Sequence, residues 1–491
     1  MLPIGRNARP AMTKGMVSHI GLVSRRSKDR NRYAFMIICA FIVSILMLST
    51  IILHPAASNR SETAATDSHF TNPIKVNDNP NYGQEYPEMA VGSNSEIFIA
   101  WQDGRNQDAN RANKDIYFSR SFDFGDTFSP NLKINDDITL LDQVFPAAIY
   151  MKKQNVYIVW QDDRGTYTYG DDIYLSKSNN YGNTFSTNIR VDDSINEKNK
   201  QANPSIAVTF ESSIVVSWID DRTGPSRIRV TQSYDGGETF ESSKQPWTLN
   251  RTSDQTCASL VANGRFLYLS FCDDAGSPRI YHPYVSFSRT AGEAFYLPIR
   301  LDSTGSSGAY QRNVRIAAHP NGGVIAVWED NRNRINDWYD FDIYGIRLTR
   351  DGEPMGSDFR IDDGLPGSYQ MEPTIAIDKY GNVYVAWVEE RNDKDSIRFS
   401  YAASGQTVFQ PSFEISSSGQ NFGQKKPVLS AIDPNIVFIA WQEDSEGTYD
   451  IYFSRGEIPE LNPNLPEFQN MIIPILATIS IVTFLGHKNR T

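Results

Sequence analysis

One short pattern occurs seven times along this chain at nearly even spacing, and it limits the folds that the chain can adopt. Each copy has a tryptophan, replaced once by phenylalanine, with an acidic residue two positions later. The copies begin 53 to 59 residues apart, at Trp101, Trp160, Trp218, Phe271, Trp328, Trp387 and Trp441. A glutamine precedes each copy by 16 or 17 residues, at Gln84, Gln143, Gln201, Gln255, Gln311, Gln370 and Gln424. A repeat this regular indicates seven equivalent structural units.

Each unit is predicted to contain four short β-strands, which we name A to D. Strand A follows the glutamine, as in PSIAV (204–208), and strand B ends at the tryptophan, as in SIVVSW (213–218). Strand C is typified by DIYFSRS (115–121) and strand D by FSPNLKIND (128–136). Seven four-stranded units predict an all-β fold, a seven-bladed β-propeller, over residues 70–456. Two separate domains would also fit the length, but the unbroken repeat argues against them.

The first and last units indicate how the predicted ring closes. The last unit stops after strand C, at DIYFSRGEIPE (450–460), and has no strand D. The segment NPIKVNDN (72–79), which precedes the first unit, has the sequence pattern of strand D. We therefore expect this N-terminal strand to complete the seventh blade and to fasten the two ends of the ring.

An eight-residue segment rich in Asp, Asn and Gly connects strands C and D in the first units. It is SFDFGDTF from Ser121, SNNYGNTF from Ser178 and SYDGGETF from Ser233. Glycine permits positive φ, and an Asp or Asn side chain accepts backbone N–H bonds, so each segment is predicted to be a turn. The residues predicted to shape these turns are Asp123, Gly125, Asn180, Gly182, Asp235 and Gly237.

These turns resemble the Asp-box, or BNR, repeats of the sialidase superfamily, and the resemblance extends over the whole repeat region. It implies a β-propeller, with the six blades of a sialidase as the alternative to seven, and it implies that the turns lie on the face opposite the active site. It also implies sialidase-like glycoside hydrolase activity as one alternative function. No residue of this chain matches the arginine triad, the Tyr–Glu pair or the acid that sialidases use, so the catalytic residues are unknown.

The N-terminal segment differs in composition from the rest of the chain. Residues 1–32 contain eight Lys or Arg and one Asp, and residues 33–53 are uncharged and apolar. We predict a basic cytoplasmic segment followed by a transmembrane anchor, with a linker at 54–69. A cleaved signal peptide is the alternative for the apolar stretch. The prediction places the propeller on the extracellular side of the cell membrane.

The C-terminal segment is predicted to have a second membrane-directed element. A Pro-rich spacer (457–470) is followed by an apolar helix (471–486) and a basic end (487–491). This layout resembles the PEF-type sorting tails of archaeal surface proteins.

The whole chain has a net charge of −11 although its first 32 residues are basic, so the propeller is acidic and nucleic acid is excluded as a partner.

The repeated pattern also supplies candidate ligand-binding residues. The acid two positions after the tryptophan occurs in all seven copies, and an arginine two positions further on occurs in five. The candidates are Asp103, Asp162, Asp220, Asp330, Arg105, Arg164, Arg222, Arg332 and Arg391. The alternative is structural, with each acid bonded to the repeated glutamine of its unit and each arginine bonded to an adjacent acid, such as the Asp before Ile–Tyr.

Features that break the repeat are the other candidates. Trp338 and Tyr339 lie in a predicted B–C loop among Asp and Asn residues, which suits sugar stacking or a protein contact as well as packing within the loop. Cys257 and Cys272 are expected on neighbouring strands, either as a disulfide or as two unpaired thiols. The Asp-rich stretch 340–344 would suit Ca²⁺, but no metal-binding motif is present and no other cofactor is predicted.

These observations predict a membrane-anchored surface propeller that binds a glycan or a protein at the face where the loops cluster. The alternatives are a sialidase-like exo-glycosidase and an envelope protein with a purely structural role. A repeated feature is typical of architecture, whereas a catalytic site breaks the symmetry of a repeat, which favours binding over catalysis.

Overall fold

The computed structural model describes residues 69–458 and Leu461, with short gaps within this range. The gaps are 80, 108–112, 165–169, 195–197, 211, 248–252, 275–279, 305–307, 336–337, 365–367, 393, 416–422, 434, 445–446 and 459–460. The predicted anchor, the C-terminal helix and most of the linker and spacer lie outside the described residues. Within them, no helix is long and apolar enough to cross a membrane.

The described chain is all-β and forms seven blades, as predicted, so the six-bladed alternative is wrong. Blade 1 contains β2 (Gln84–Val91), β3 (Ile97–Asp103), β4 (Asp115–Ser121) and β5 (Leu132–Lys133). Blade 2 contains β6 (Gln143–Lys152), β7 (Asn155–Asp162), β8 (Asp172–Ser178) and β9 (Ile189–Arg190). Blade 3 contains β10 (Gln201–Val208), β11 (Ile214–Asp220) and β12 (Arg227–Ser233), and a single bridge from Val230 to Lys244 takes the place of strand D.

The other four blades have four strands each. Blade 4 contains β13 (Gln255–Asn263), β14 (Phe266–Asp273), β15 (His282–Ser288) and β16 (Ile299–Arg300). Blade 5 contains β17 (Gln311–Ala318), β18 (Val324–Asp330), β19 (Asp342–Leu348) and β20 (Phe359–Arg360). Blade 6 contains β21 (Tyr369–Ile377), β22 (Val383–Arg391), β23 (Lys394–Ala402) and β24 (Phe413–Glu414). Blade 7 contains β25 (Gly423–Ala431), β26 (Ile436–Asp444), β27 (Tyr449–Glu457) and β1 (Ile74–Lys75).

Blade 7 closes the ring in the predicted way, because its outer strand comes from the N-terminal side of the chain. Strand β1 pairs with β27, with Ile74 opposite Phe453. Beyond β1, the buried side chain of Asn77 donates to Asp450 Oδ1 over 2.7 Å and accepts a bond of 2.8 Å from the Ile451 N–H. One polar side chain therefore joins the first and last parts of the propeller.

The core lies between neighbouring blades. Seven apolar clusters are found, and each combines residues from two adjacent blades. The repeated tryptophan is fully buried in such a cluster, and in five blades its indole N–H bonds to the acid two positions later, as from Trp101 to Asp103 over 2.9 Å. In blade 6 the indole N–H of Trp387 bonds to the repeated Gln370 instead, over 2.9 Å. A buried indole N–H needs an acceptor, which explains why the tryptophan and the acid recur together. Blade 4 has Phe271 at this position, and Trp247 of blade 3 stacks on its ring.

The C–D turns hold their shape and also join the blades. In the third turn, Asp235 accepts hydrogen bonds from the backbone N–H and the hydroxyl of Thr239, over 3.0 and 2.6 Å. The glycine of each such turn meets a side chain of the preceding blade, as Gly182 meets Phe118. The turns thus serve as packing surfaces for the preceding blade. We call their side of the ring, which also carries the A–B turns, the turn face, and we call the side with the B–C loops the loop face.

Candidate functional site

Each inner strand has the same backbone irregularity two residues after its repeated glutamine. All seven residues at this position have φ between 48° and 55°, although none is glycine. They are Tyr86, Phe145, Asn203, Cys257, Asn313, Glu372 and Lys426, and we call them the bulge residues. The register of strands A and B shifts beside every one of them, which is the mark of a β-bulge.

The bulge turns backbone N–H groups towards the preceding blade. The N–H of Tyr86 bonds to Gln442 Oε1 over 2.8 Å, and that of Phe145 bonds to Gln102 Oε1 over 3.0 Å. The N–H of Glu372 bonds to Glu329 Oε1 over 2.7 Å. The acceptor is in each case the residue that follows the repeated tryptophan. This bond between blades compensates for a left-handed backbone that costs a non-glycine residue roughly 1 kcal/mol or more.

All seven bulge residues line a cavity of about 700 Å³ at the centre of the ring, enclosed by the inner strands. Five apolar side chains three residues further along the strands also line it: Met89, Ile206, Leu260, Ile316 and Leu429. Since the bulges follow the start of the inner strands, the cavity lies towards the loop face. Its volume is within the usual range for sites that bind small molecules.

The bulge residues differ in chemistry from blade to blade, so the cavity has no sevenfold symmetry. The ring of Tyr86 meets that of Phe145 edge to face, with their centroids 4.7 Å apart. Lys426 forms an ion pair with Glu372, and Asn313 donates to Glu329 over 2.5 Å. One side of the cavity is therefore aromatic, and another carries paired charges and an amide.

Two further charged side chains, Glu88 and Arg315, line the cavity four residues after the glutamines of blades 1 and 5. Arg315 is exposed, and no carboxylate in the described part of the chain lies within ion-pairing distance of it. Glu88 is half-buried and has no hydrogen-bond donor within reach among the described residues. Burial raises the pKa of Glu88 to about 8, and the charge of Arg315 lowers that pKa only in part. The cavity thus offers a neutral carboxyl and a free guanidinium near pH 7.

The pKa of Glu88 gives a testable dependence of stability on pH. A folded-state pKa above the ordinary value of 4.5 means that the folded protein loses stability as the pH rises from 4.5 to about 8, because only the unfolded chain releases this proton. We expect Glu88→Gln to be more stable than the wild type by about 2 kcal/mol at the upper end of this range, a fraction of the full shift because the cavity is open to solvent.

Chemical denaturation of the full chain across this pH range would measure the effect. The matched control is Glu85→Gln, three residues earlier in β2. Glu85 forms an ion pair of 2.6 Å with Lys114, so its neutralisation removes a favourable contact. If Glu88→Gln and the wild type keep a constant difference in stability across the range, Glu88 does not hold its proton in the folded state.

A group of aromatic side chains extends from the cavity towards the loop face. Tyr310 lines the cavity, and its ring lies 6.2 Å from that of Trp338 and 6.0 Å from that of Phe341. Trp338 is 46% exposed, and the guanidinium of Arg334 lies 4.7 Å from the centre of its ring. The structure therefore connects Trp338, which the sequence singled out, with the cavity. Tyr339 is also exposed on the same loop.

The repeated acids and arginines lie elsewhere, in contacts within a blade and with the segment that follows the preceding blade. Arg105 donates to Asp103 over 2.8 Å and to Asp78 over 2.9 Å, and its guanidinium lies 3.9 Å from the centre of the Tyr117 ring. Equivalent pairs join Arg164 to Asp162, Arg222 to Asp220 and Arg332 to Asp330. The geometry gives these residues a structural role, and their predicted role in ligand binding gains no support from it.

The contacts of the repeated glutamines, acids and arginines can be compared with those predicted from the sequence. Gln255 donates to Asp273 over 3.0 Å, which is the predicted bond between a repeated glutamine and an acid, and Gln424 donates to Glu443 over 2.8 Å in blade 7. In blades 1 and 2 the prediction is wrong, because Gln84 and Gln143 instead accept hydrogen bonds from Asn77 and Asn135. The repeated arginine does not pair with the Asp before Ile–Tyr. In blade 1 this residue is Asp115, which forms an ion pair of 2.6 Å with Lys133. Arg391 departs from the other arginines, since β22 and β23 pair as far as Arg391 and Lys394 and leave it exposed at a hairpin end.

The two cysteines of the propeller are free thiols in the structure, which is the second of the two predicted alternatives. Cys257 is a bulge residue and lines the cavity, whereas Cys272 is buried and lies opposite Thr256 on the neighbouring strand. Burial of the Cys257 thiol acts to raise its pKa. Hydrogen bonds from Cys272, Thr256 and the backbone, together with the charge of Arg315, outweigh the effect of burial, so that the pKa is lowered. Cys257 is therefore a thiol suited to chemical labelling within the cavity.

Metal binding gains no support within the described ranges, where no group of three or more His, Cys, Asp or Glu side chains is placed to hold an ion. In the Asp-rich stretch 340–344, Asp342 is instead paired with Arg360 over 2.8 Å. Binding of Ca²⁺ stays a prediction of the sequence.

The bulge residues are not among those that the sequence pattern predicts. Their signal is weak, because a position that carries Tyr, Phe, Asn, Cys, Glu and Lys has no conserved type within the chain. Five of the seven are followed by proline, at Pro87, Pro146, Pro204, Pro373 and Pro427. The pattern Gln-x-x-Pro at the start of a predicted inner strand was the feature that marked the irregularity.

The chain matches no protein-family model, and none of the curated proteins matches it. Solved structures similar to it include a polysaccharide lyase of family PL25, an ulvan lyase, with a TM-score of 0.51 and 11% identity over 79% of this chain and 98% of that chain. The GH93 α-L-arabinofuranosidase of Fusarium graminearum has a TM-score of 0.47 and 13% identity over 80% and 99% of the two chains. The Hadza microbial sialidase Hz136 has a TM-score of 0.46 and 13% identity over 77% and 66%. Identities this low show a shared fold alone.

Proposed function

We propose that this protein is a membrane-anchored, cell-surface β-propeller that binds a glycan in its central cavity, at the loop face. One observation carries the proposal. Seven positions with the same backbone conformation direct seven side chains into one cavity, and these side chains include two aromatic rings, two amides, an acid, a base and a thiol. Architecture alone would favour similar residues at equivalent positions, whereas an asymmetric ligand requires different ones.

The chemistry of the cavity suits a saccharide. A sugar ring has apolar faces that stack on aromatic side chains and hydroxyl groups that bond to amides, carboxyl groups and guanidinium groups. Tyr86, Phe145 and Tyr310 supply the aromatic surface, and Asn203, Glu88 and Arg315 supply polar groups that the described protein leaves available. The ulvan lyase that shares this fold is one example of a polysaccharide-active propeller.

Hydrolysis of a glycoside is the second candidate function, and the pKa of Glu88 favours it. A carboxyl that stays protonated up to about pH 8 is a suitable general acid for protonating a glycosidic oxygen. Glycoside hydrolysis also needs a second carboxylate across the scissile bond. Glu372 is in the cavity, but it is engaged in an ion pair with Lys426. Binding without turnover therefore stays the preferred function.

Binding can be tested with the full chain in detergent and a panel of fluorescent neutral and uronate-containing oligosaccharides. We expect saturable binding to at least one of them and a loss of roughly tenfold or more in affinity on Arg315→Ala or Trp338→Ala. The matched controls are Arg391→Ala and Tyr380→Ala, which remove an exposed arginine and an exposed aromatic residue far from the cavity. A bound oligosaccharide should also slow the labelling of Cys257 by iodoacetamide.

Several outcomes would contradict the proposal. Binding that all four variants retain would place the ligand outside the cavity, and the absence of binding to any saccharide would favour a protein ligand or a structural role. Release of reducing ends by the wild type, abolished in Glu88→Gln while binding persists, would make the protein a glycoside hydrolase.

A further inference from the structure

The turn face carries both ends of the described propeller and a set of exposed apolar side chains. We propose that this face rests on the surface of the lipid bilayer, so that the loop face and the cavity point away from the membrane. The proposal uses the predicted anchors but does not depend on the identity of the ligand in the cavity.

The two ends of the propeller leave the ring side by side at the turn face. Strand β27 runs towards this face and β1 runs away from it. The Glu457 N–H bonds to the His69 carbonyl over 2.7 Å, and the Thr71 N–H bonds to the Arg455 carbonyl over 2.8 Å. The predicted transmembrane segment at 33–53 and the apolar segment at 471–486 are thus joined to neighbouring points of one face. We therefore expect the two predicted membrane segments to act as tethers that draw this face towards the bilayer.

Apolar side chains are exposed on the same face around much of the ring. Those in its A–B and C–D turns are Phe122, Phe124, Tyr181, Phe210, Tyr234, Tyr380 and Val408, of which Phe210 is 79% exposed. They belong to blades 1, 2, 3 and 6. Phenylalanine and tyrosine rings at these positions are of the kind that lies at the boundary between water and lipid.

Part of this set forms a continuous patch that begins where the chain leaves the ring. The guanidinium of Arg455, next to the chain end, lies 5.9 Å from the centre of the Phe124 ring. The ring of Phe122, in the same turn, lies 6.2 Å from that of Tyr181 in the next blade. The patch is therefore in the part of the turn face that the tethers bring nearest to the membrane.

We attribute the expected contact with the bilayer to the exposed aromatic rings of the turn face and not to its net charge. The guanidinium of Arg120 lies 5.2 Å from the centre of the Phe122 ring but donates to the Tyr181 carbonyl and to Asn183, and Arg455 is balanced by Asp126 at 3.4 Å. A few exposed rings bind a bilayer weakly on their own. The tethers raise the local concentration of the face at the membrane, and a weak contact is then well populated.

The contact can be measured by quenching of tryptophan fluorescence with brominated lipids. The full chain would be reconstituted into vesicles of zwitterionic and anionic phospholipid, with Phe122→Trp as the variant on the turn face. The matched control is Leu140→Trp, an exposed apolar residue of the D–A loop on the loop face. We expect brominated lipid to quench the added fluorescence of Phe122→Trp roughly twofold or more, and that of Leu140→Trp little.

A second variant on the turn face, Tyr234→Trp, covers the case in which Phe122→Trp fails to fold. Quenching restricted to Leu140→Trp would reverse the orientation, and no quenching in any variant would overturn the lipid contact. Quenching that disappears as the protein is diluted in the vesicles would show that a second copy of the chain covers the face. A chain that fails to float with the vesicles would also overturn the proposal.

Discussion

Replacement of Asn77 by alanine is expected to lower the free energy of unfolding by about 4 kcal/mol. The side chain is buried and donates to Asp450 over 2.7 Å, to Gln84 over 3.0 Å and to the Asn79 carbonyl over 2.8 Å. It also accepts the Ile451 N–H. Alanine would remove the bonds to Gln84 Oε1, Asp450 Oδ1 and the Ile451 N–H and leave Asp450 with its ion pair to Lys75, at the one place where the ring is not closed by a continuous chain.

The matched control for this prediction is Asn135→Ala. Asn135 makes the same bonds in blade 1, to Asp115 and Gln143 and from the Ile116 N–H, but the blades that it joins are consecutive in the chain. Denaturation of the full chain should show a similar loss of stability for both variants. Hydrogen exchange should differ, with the amides of β27 exchanging faster only in Asn77→Ala. Equal exchange of β27 in the two variants would show that closure is not the weakest point of the ring.

Replacement of Gly182 by alanine is expected to cost about 3 kcal/mol. Gly182 has a φ of 72°, and a Cβ built on it would lie 2.5 Å from Cζ of Phe118 in the preceding blade. The substitution therefore combines an unfavourable backbone conformation with a clash in a packed core. Because Phe118 belongs to the cluster between blades 1 and 2, the clash would separate these two blades.

Gly236→Ala distinguishes the two causes. Gly236 has a φ of 76°, almost that of Gly182, but no atom lies within 4 Å of the Cβ that alanine would add. The equivalent position of the other turns carries Phe124, Tyr181 and Ala291, all with positive φ. We expect a loss of about 1 kcal/mol or less for Gly236→Ala. If both variants lose the same stability in thermal or chemical denaturation, the backbone and not the packing between blades explains the cost at Gly182.

Much of the fold could be predicted because its determinants recur with every blade. The repeated tryptophan and glutamine gave the number of blades and the pairing of strands A and B, as the bond between Gln255 and Asp273 shows. Closure of the ring by residues 72–79 followed from one missing strand at the other end. The arginine contacts were less predictable, because Arg105 bonds to Asp78 beyond β1, which only the closed ring brings near it.

The candidate site was mostly beyond prediction from sequence, for a physical reason. The bulge at Tyr86 or Phe145 is held by a bond between blades rather than by a residue type, so the sequence at that position carries no periodic signal. The same is true of Arg315 and Glu88, which come together only around the axis of the ring. Trp338 was found because it breaks the repeat, and its contact with Tyr310 shows why it matters.

The bulges also separate the part of each strand that determines the fold from the part that would determine recognition. At Tyr86, Phe145 and Glu372, the backbone N–H is held by a side chain of the preceding blade, so the bulge depends on the main chain of the bulge residue rather than on its side chain. A bulge position can then vary without altering the blade that carries it where its side chain holds no other bulge residue, whereas Glu372 also accepts the Lys426 N–H and is coupled to that position. Propellers with this bulge would form a combinatorial family, in which new ligands are acquired by exchanging single residues around an unchanged ring.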